Sequence, residues 1–490
     1  MPIAMAGAMK GSTSTLTAIA LAAVLAGCAA GPDYVRPQVA SPQSLTRGAL
    51  STATQGTAAP SVDAQWWKAF GSAPLNAMVE DALRQSPTIE AAEATLRAAH
   101  QNVVAQRGYF YPSVQLGYSP SRQNTGQSMS PPLNNGDSLY TYHTAQLSVS
   151  YAPDLFGANR RQVEGLQAQE EGQRLQLQAA RLSLAGNLVA ATIQASMLQE
   201  QAALIGQAVE AAQEQLAHMR KQQANGYASG MDVATQQTLL IQLQQQLPPL
   251  QKSLEQTRNL IATLMGRTPD QSPPVLPLSG FSLPAVPQAV ASQLVEHRPD
   301  IRIAETQVQQ ASAAMGVATA ARLPQLAITA AYGGGATTFA KMFSAGNITW
   351  ALGANLLAPL FNGGTLLAHQ KAAQAELQAA AATYQGTVLS AFQDVANALY
   401  ALDTDTHALR MSQESEQASQ TTLRLTSSQL QAGYASRPAY LAARQSWLQA
   451  RAATVAAQGS LYGDAVALYQ SLGGGVLNDP PADTRPPAPR

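Results

Sequence analysis

The 490-residue chain is poor in the residues that build reactive sites. A single cysteine excludes disulfides within the chain and any thiolate metal cluster. The six histidines have no metal-ligand spacing, and no phosphate-binding loop, Gly-x-Ser-x-Gly or His-Glu-x-x-His string occurs. Only 12% of residues are charged, and 29 basic side chains balance 29 acidic ones, so no nucleic-acid partner is expected. We therefore expect no enzyme activity, no metal site and no cofactor.

The one apolar run near the N-terminus extends from Leu16 to Gly27. It is too short to span a bilayer stably as a helix, and it is typical of a cleaved export signal. We assign residues 1–27 to a signal peptide. Because residues 1–8 carry no positive charge, Met9 with the adjacent Lys10 is an alternative start to Met1.

The single cysteine directly follows this run, in the string Leu25-Ala26-Gly27-Cys28. The string is similar to the lipobox of bacterial lipoproteins, in which the cysteine is acylated and becomes the first residue after cleavage. We predict lipid attachment at Cys28 and a lipid-anchored segment over residues 28–74, because several acyl chains anchor a protein firmly. The alternative is an ordinary signal peptide that happens to end in small residues.

The remaining sequence contains two copies of one unit. Proline and glycine strings recur at a spacing of about 210 residues, and the matching strings are Ser86-Pro87 with Arg298-Pro299, Gly226-Tyr227-Ala228-Ser229 with Gly433-Tyr434-Ala435-Ser436, and Gly266 with Gly473. We place the first repeat at residues 75–267 and the second at 287–473. A Pro-rich linker, 268–286, separates them, and a tail predicted to be disordered, 474–490, follows.

Each repeat is predicted to contain the same elements in the same order. A first helix begins at Pro87 or Pro299, and two stretches of about ten residues with period-two alternation follow it. A very long helix then extends from Ala158 to about Gln223, or from Thr365 to about Gln431, before a second helix returns. Apolar residues seven apart support the long helices, namely Leu177, Leu184, Ala191, Leu198 and Ile205, and Val388, Val395, Leu402 and Leu409.

One feature distinguishes the two returning helices. Pro248-Pro249 lies within the first of them and has no counterpart in the second. Proline removes a backbone donor and clashes with the preceding turn. We therefore predict a kink near Leu247.

Lipid attachment at Cys28 would place the chain at a membrane, so we ask whether the four predicted strands could cross it. Strands of about ten residues are long enough to cross an outer membrane, but four of them cannot close a barrel. Several chains must then share one barrel, and geometry alone allows two copies or more. The alternative is a set of soluble hairpins on a periplasmic coiled coil.

Several strings resemble one known family, the TolC-like outer-membrane factors of tripartite efflux systems, and within it the NodT lipoprotein branch. The resemblance covers essentially the whole chain after Cys28. The strings are Gly31-Pro32-Asp33-Tyr34-Val35-Arg36-Pro37, Trp66-Trp67-Lys68-Ala69-Phe70, Tyr151-Ala152-Pro153-Asp154-Leu155-Phe156-Gly157, Arg298-Pro299-Asp300-Ile301, Pro359-Leu360-Phe361-Asn362-Gly363-Gly364 and Leu472-Gly473-Gly474-Gly475.

The resemblance implies an α+β membrane protein of the cell outer membrane. Three chains with four strands each would form a 12-stranded barrel that continues, through a mixed equatorial region, into an α-helical coiled-coil barrel in the periplasm. The assembly would passively conduct drugs or other small toxic compounds from an inner-membrane pump and a periplasmic adaptor protein. Two alternatives stay open: an outer-membrane port for protein secretion, which shares this fold, and a structural coiled-coil lipoprotein without a pore.

The resemblance also implies functional positions along the helices. It places the second hairpin tip, and with it a periplasmic gate, around Asp394, Asn397, Tyr400, Asp403 and Asp405. A ring of carboxylates repeated in each chain would favour cations. The alternative is that these acidic residues are solvated positions on a helix surface. The turns at Gly226, Tyr227, Gly433 and Tyr434 would contact the adaptor, or would be ordinary glycine helix ends.

Overall fold

A computed structural model describes residues 29–39, 47, 64–124, 138–284 and 298–474. The predicted signal peptide, Cys28 and nearly all of the predicted tail lie outside these residues. The chain divides into two compact units. The first contains the stretch up to Pro37, Leu96–Gln173 and Ala304–Tyr384, and the second contains Gln38–Thr95, Arg174–Ile303 and Gln385–Arg490. Each unit therefore takes residues from both sequence repeats.

The order of helices and strands occurs twice, as predicted. The helices are α1 Ala73–Gln85, α2 Pro87–Arg107, α3 Ala158–Ala224, α4 Gly230–Gln244, α5 Leu247–Leu264, α6 Pro299–Ala320, α7 Thr365–Gln431 and α8 Arg437–Ser471. The strands are β1 Ser113–Asn124, β2 Leu139–Tyr151, β3 Gln325–Ala336 and β4 Ile348–Leu357. Helices α3 and α7 contain 67 residues each, which corresponds to about 100 Å at the helical rise.

The seven-residue spacing marks the buried side of both long helices. In α3, Leu177, Leu198 and the other members of the series are at most 7% exposed. In α7, Val388 and Val395 are at most 5% exposed. Alanine and glutamine dominate the rest of these helices, so the seam is narrow. Among the described residues, no helix has both the length and the apolar character that crossing a membrane requires.

Serine caps begin the returning helices. The Ser229 Oγ accepts a hydrogen bond from the Asp232 N–H at 3.2 Å, and the Asp232 carboxylate accepts one from the Ser229 N–H at 2.9 Å. Ser436 caps α8 by accepting from the Ala439 N–H at 3.3 Å. Each cap satisfies backbone donors that the first helical turn leaves free. The repeated serine therefore fixes where each hairpin turns back.

The predicted break in the first returning arm is confirmed. Helix α4 ends at Gln244 and α5 begins at Leu247, immediately before Pro248 and Pro249. Neither proline has a backbone N–H to bond to the preceding turn. Helix α8, which has no such pair, continues without interruption for 35 residues.

The predicted position of the second hairpin tip is wrong. Residues 394–405 lie in the interior of α7, which continues without a break to Gln431. The chain reverses only at residues 432–436, where Gly433 has a φ of 79°. The family resemblance implied a tip at these residues, but the glycine and the serine cap determine where the helix ends.

The four strands form one antiparallel sheet, in the order β1-β2-β3-β4, within the first unit. Strands β1 and β2 pair from Ser113 opposite Ser150 to Asn124 opposite Leu139. Each inner strand has two neighbours, whereas β1 and β4 have one neighbour each. The two outer strands therefore present rows of backbone groups without a strand partner in this sheet.

In the second unit, the core gathers aromatic residues around the short helical segment Trp66–Phe70. Trp66 is 2% exposed and stacks on Tyr469 with ring centroids 5.4 Å apart. Phe70 packs edge-on against Tyr462 of the same helix α8. Trp66 and Phe70 are therefore core residues, whereas Trp350 in β4 is 76% exposed.

Candidate functional site

One face of the sheet is apolar and exposed across all four strands. The register places one apolar residue from each strand in a single row, Leu116, Leu147, Tyr332 and Trp350. The next row on this face is Val114, Val149, Ala330 and Leu352. Leu116 is 80% exposed. Directly opposed residues point to the same face, so the period-two pattern of the sequence produces a continuous apolar surface.

The opposite face of the sheet is polar or small. Its rows include Gln115, Ser148, Ala331 and Ala351, and also Gly117, Gln146, Gly333 and Thr349. A Cβ added at Gly333 would lie 2.2 Å from the Ala145 carbonyl oxygen, so this position in β3 admits no side chain. The sheet is therefore amphipathic, with one face suited to an apolar medium and one suited to water.

The two hairpin turns have the same backbone geometry. Gly226 and Gly433 both have a φ of 79°, in the left-handed region that glycine tolerates best. The N–H groups of the tyrosines that follow bond back to carbonyl oxygens of the last helical turn at 2.8 Å in both copies. Tyr227 and Tyr434 are 84% and 87% exposed. Each hairpin thus ends in a glycine C-cap that presents an exposed tyrosine ring.

Arg298 is the centre of a buried ionic cluster in the second unit. Its Nη2 donates to the Asp300 Oδ2 at 2.8 Å and to the Asp394 Oδ2 at 3.0 Å. Its Nη1 donates to the Ser471 carbonyl oxygen at 2.9 Å. Burial opposes the charge of Arg298, but the two carboxylates outweigh it and raise its pKa. The cluster joins the start of α6, the middle of α7 and the end of α8.

A pair of acidic residues, Asp405 of α7 and Asp464 of α8, lies next to each other between these helices. The pKa of Asp464 is raised to about 6, chiefly by burial and in addition by the charge of Asp405 and a hydrogen bond to it. Asp464, Asp394 and Arg298 also line one groove of about 450 Å³, together with Asn397. Like charges this close favour keeping a proton on one of the two carboxyl groups.

The five predicted gate residues do not share one side of α7. At 100° per residue, Asp394 and Asp405 lie on similar sides, whereas Asp403 lies about 180° from Asp394. Asp394 belongs to the Arg298 cluster, and the Tyr400 hydroxyl accepts a hydrogen bond from the Arg47 N–H at 3.1 Å. The structure therefore brings together Asp394, Asn397 and Asp464, and sequence reasoning included only the first two.

Sequence reasoning missed Arg298 and Asp464 as functional positions. The sequence does mark Arg298, because this residue begins the Arg-Pro-Asp string, but nothing in the string shows which distant carboxylate it binds. No sequence signal marks Asp464, because only the packing of α8 on α7 brings it close to Asp405. In the described part of the chain, no group of three or more His, Cys, Asp and Glu residues has the arrangement of a metal site.

Comparison with known families matches residues 78–267 and 290–474 to the family described as outer membrane efflux protein. The chain is 33% identical over 372 residues to the pyoverdine export outer membrane protein OpmQ of Pseudomonas putida, covering 75% of this chain and 78% of that protein. It is 27% identical over 394 residues to the outer membrane protein OprJ of Pseudomonas aeruginosa, covering 79% of this chain and 81% of that protein.

Two solved structures have the same fold over most of their length. The outer-membrane channel OprN is 28% identical with a TM-score of 0.79, covering 91% of this chain and 99% of that chain. The open state of the Neisseria gonorrhoeae MtrE outer membrane channel is 27% identical with a TM-score of 0.78, covering 91% and 98%. The predicted fold and resemblance are confirmed, and the chain belongs to the outer membrane efflux protein family.

Proposed function

We propose that this chain is the outer-membrane channel of a tripartite efflux system, in which three copies complete one 12-stranded barrel. The observation that carries the proposal is the amphipathic sheet with two open edges. In hydrocarbon, each unpaired backbone group costs several kcal/mol, so a membrane-embedded sheet needs a neighbouring strand at both edges. Identical chains supply these neighbours when β1 of one chain pairs with β4 of the next.

The substrates are small toxic compounds that an inner-membrane pump delivers through a periplasmic adaptor protein. The names of several relatives support this class, among them the toluene efflux pump outer membrane protein TtgC of Pseudomonas putida. That protein is 28% identical over 413 residues. The polar face of the sheet and the glutamine-rich helices suit a water-filled conduit, which tolerates solutes and leaves selection to the pump.

The two hairpin turns are the proposed contacts with the adaptor protein. Gly226 and Gly433 adopt the left-handed backbone conformation with which the chain reverses. Tyr227 and Tyr434 are exposed beside them. Exposed aromatic side chains supply large contact areas at protein interfaces. The duplicated geometry would offer an adaptor two similar contact points on each chain.

The proposed gate centres on the side of α7 that carries Asp394, Asn397 and Asp405. Asp394 is already held by Arg298, so any movement of α7 away from α6 must break a charge-assisted pair. Tyr400 and Asp403 lie towards other sides of α7 and would contribute to a gate only through neighbouring chains. Asp394→Asn should then change the open probability and cation preference of the channel, and Asp403→Asn should have a smaller effect.

Lipid attachment at Cys28 is part of the same proposal. The lipobox-like string Leu25-Ala26-Gly27-Cys28 supports it. Acyl chains would keep each chain at the outer membrane before the strands of three copies combine. Mass spectrometry of the N-terminal peptide of membrane-extracted protein tests this directly.

Conductance in planar bilayers tests the channel function. The purified chain should form heat-modifiable trimers with discrete single-channel conductance, whereas a structural spacer would remain non-conducting. A deletion strain with its pump intact should become sensitive to dyes, detergents or antibiotics, and should recover with the wild-type gene. Loss of secreted proteins without any change in drug sensitivity would favour the secretion port instead.

A further inference from the structure

The end of the sheet that is farthest from the helices carries charge of one sign in the described part of the chain. The four strands and the connection between β3 and β4 comprise residues 113–124, 139–151 and 325–357. These residues include one arginine, Arg122, and one lysine, Lys341, both exposed, and no aspartate or glutamate. Both cations lie at the far end, where β1 ends and β4 begins. At the helical end, by contrast, Arg160 forms an ion pair with Asp154 at 3.3 Å.

Arg122 points to the apolar face of the sheet. Strands β1 and β2 pair without interruption along the whole of β1. Alternate residues therefore share a face, and Arg122 lies on the same side as Leu116 and Tyr118. Measured along the strand, Arg122 is about 30 Å from Ser113. At the tilt of roughly 35–45° in outer-membrane barrels, this length covers a height of about 23 Å, close to the ~25 Å of their lipid-facing band. Arg122 therefore lies where such a band ends and lipid headgroups begin.

Three exposed aromatic side chains form a cluster at the same end and on the same face. Tyr118 packs edge-on against Phe339 with ring centroids 5.7 Å apart, and Phe339 packs edge-on against Phe343 at 5.9 Å. All three residues are more than half exposed. The Tyr118 hydroxyl is also hydrogen-bonded to the His143 Nδ1 at 2.8 Å, which orients the first ring. Aromatic rings are favoured where an apolar medium meets a polar one, so this cluster suits the boundary between acyl chains and headgroups.

The connection between β3 and β4 is folded into a turn that holds Lys341 in place. The Asn347 Nδ2 donates to the Lys341 carbonyl oxygen at 2.8 Å and to the Ser344 Oγ at 3.0 Å. Met342 is fully buried, and a Cβ added at Gly334 would overlap its carbonyl oxygen. The turn is therefore seated on the apolar face of β3. Along the chain, Lys341 lies between the two phenylalanines of the aromatic cluster.

We propose that Tyr118, Arg122, Phe339, Lys341 and Phe343, which we call the far-end patch, bind a phosphorylated glycolipid of the lipid A type. Such a lipid carries two phosphates on a disaccharide and several acyl chains. The inference rests on the proposed membrane role of the sheet, which places the far end in the outer leaflet. The acyl chains would lie against the apolar face, and the disaccharide would lie beside the aromatic cluster.

Charge and spacing favour this lipid over a phospholipid with one phosphate. Strands β1 and β3 are two strand spacings apart, about 10 Å, so Arg122 and Lys341 are separated across the sheet. Two separated phosphates use both cations better than a single phosphate does. Arginine binds a phosphate through two parallel hydrogen bonds, and lysine binds it as a compact charge. Because these strands and the β3–β4 connection contain no carboxylate side chain, an anionic headgroup meets no repulsion from them.

Native mass spectrometry of the purified protein in detergent tests the proposal. The protein is titrated in parallel with lipid A that has two phosphates, with its monophosphoryl form and with phosphatidylglycerol, and the lipids bound per chain are counted. A fourth arm adds excess inorganic phosphate to the sample with two-phosphate lipid A. Arg122→Gln and Lys341→Gln each remove one cation of the far-end patch. Arg107→Gln is the matched control, because it removes an exposed cation at the helical end of the sheet.

Each basic side chain near an anionic lipid surface contributes about fivefold to affinity. Wild type should therefore bind the two-phosphate lipid A about fivefold more tightly than the monophosphoryl form. Arg122→Gln and Lys341→Gln should each weaken binding of the two-phosphate form about fivefold and abolish this preference, and the double variant should weaken it about 25-fold. Arg107→Gln should match wild type, and inorganic phosphate should not displace the lipid.

Four results would overturn the proposal. Equal binding of phosphatidylglycerol would show a general anionic-lipid surface, and displacement by inorganic phosphate would show a simple anion site. A preference that both single variants keep would place the lipid elsewhere, and an equal loss in Arg107→Gln would show an effect of net charge alone. Single-channel conductance is measured on the same proteins. Wild type that conducts without the lipid preference refutes only the lipid site, whereas wild type that does not conduct refutes the channel proposal.

Discussion

The apolar face of the sheet leads to a prediction that compares two neighbouring residues of β1. Leu116 lies on the apolar face and is 80% exposed, whereas Gln115 lies on the polar face. Leu116 is about 10 Å along the strand from Ser113 at the strand rise. Arginine on the lipid face of a membrane sheet costs about 2–4 kcal/mol at the midplane and less near the interface. We expect Leu116→Arg to cost about 2 kcal/mol per chain, or about 30-fold in the folding equilibrium.

The assay is refolding into lipid vesicles over a series of urea concentrations, with heat-modifiable oligomer on gels as the measure of folding. Gln115→Arg adds the same charge one residue away and is expected to lie within about 0.5 kcal/mol of wild type, because its side chain meets water. Equal losses for the two variants, or a larger loss for Gln115→Arg, would mean that the exposed face does not contact lipid.

Three further predictions concern the helices, each measured by thermal unfolding of the purified protein in detergent, followed by circular dichroism. The pKa of Asp464 lies above its unfolded value of 3.8, at about 6, so the folded state holds its proton more tightly and stability falls as pH rises from about 4 to 6. Asp464→Asn should therefore be more stable than wild type at pH 7.5, by about 1 kcal/mol after allowance for solvent, and the gap should close towards pH 4; a gap independent of pH would contradict this cause. Gly433→Val should destabilise the turn by about 1–2 kcal/mol because of its positive φ, while Gly386→Ala within α7, where an added Cβ meets nothing within 4 Å, should gain about 0.5–1 kcal/mol; a neutral Gly433→Val would show that the turn relaxes. Arg298→Met should cost about 3 kcal/mol because it leaves carbonyl groups and two carboxylates without their donor, whereas Arg84→Met at a surface pair should cost less than about 1 kcal/mol; similar costs for both would show that burial of the cluster contributes little.

The sequence was informative wherever a local rule determines structure. Period-two alternation predicted strands with one apolar face, and residues seven apart predicted the buried seams of α3 and α7. The proline pair predicted the break between α4 and α5, since no neighbouring residue can supply the missing backbone donor. Repetition made these predictions stronger, because the same order of elements had to fit twice.

The sequence was less informative where distant residues meet. The tip was misplaced because the family resemblance put it around Asp394 to Asp405, while the backbone reverses at Gly433, where the φ is positive. The pairing of Asp464 with Asp405 depends on how α8 packs on α7, which no periodicity reveals. The string that begins at Gly31 was recognised as a family signature, but its physical reason is the close approach of Gly31 to Gly316.

The proline pair has a consequence for the symmetry of any assembly. The two repeats of the chain have the same order of elements. A ring of chains would therefore resemble a ring with twice as many equivalent units as chains. One returning arm is interrupted between Gln244 and Leu247, and the other is a continuous helix of 35 residues. Because the two repeats differ in this way, the rotational symmetry of any ring of these chains equals the number of chains. A motion that bends the interrupted arm, α4 and α5, need not bend the continuous helix α8.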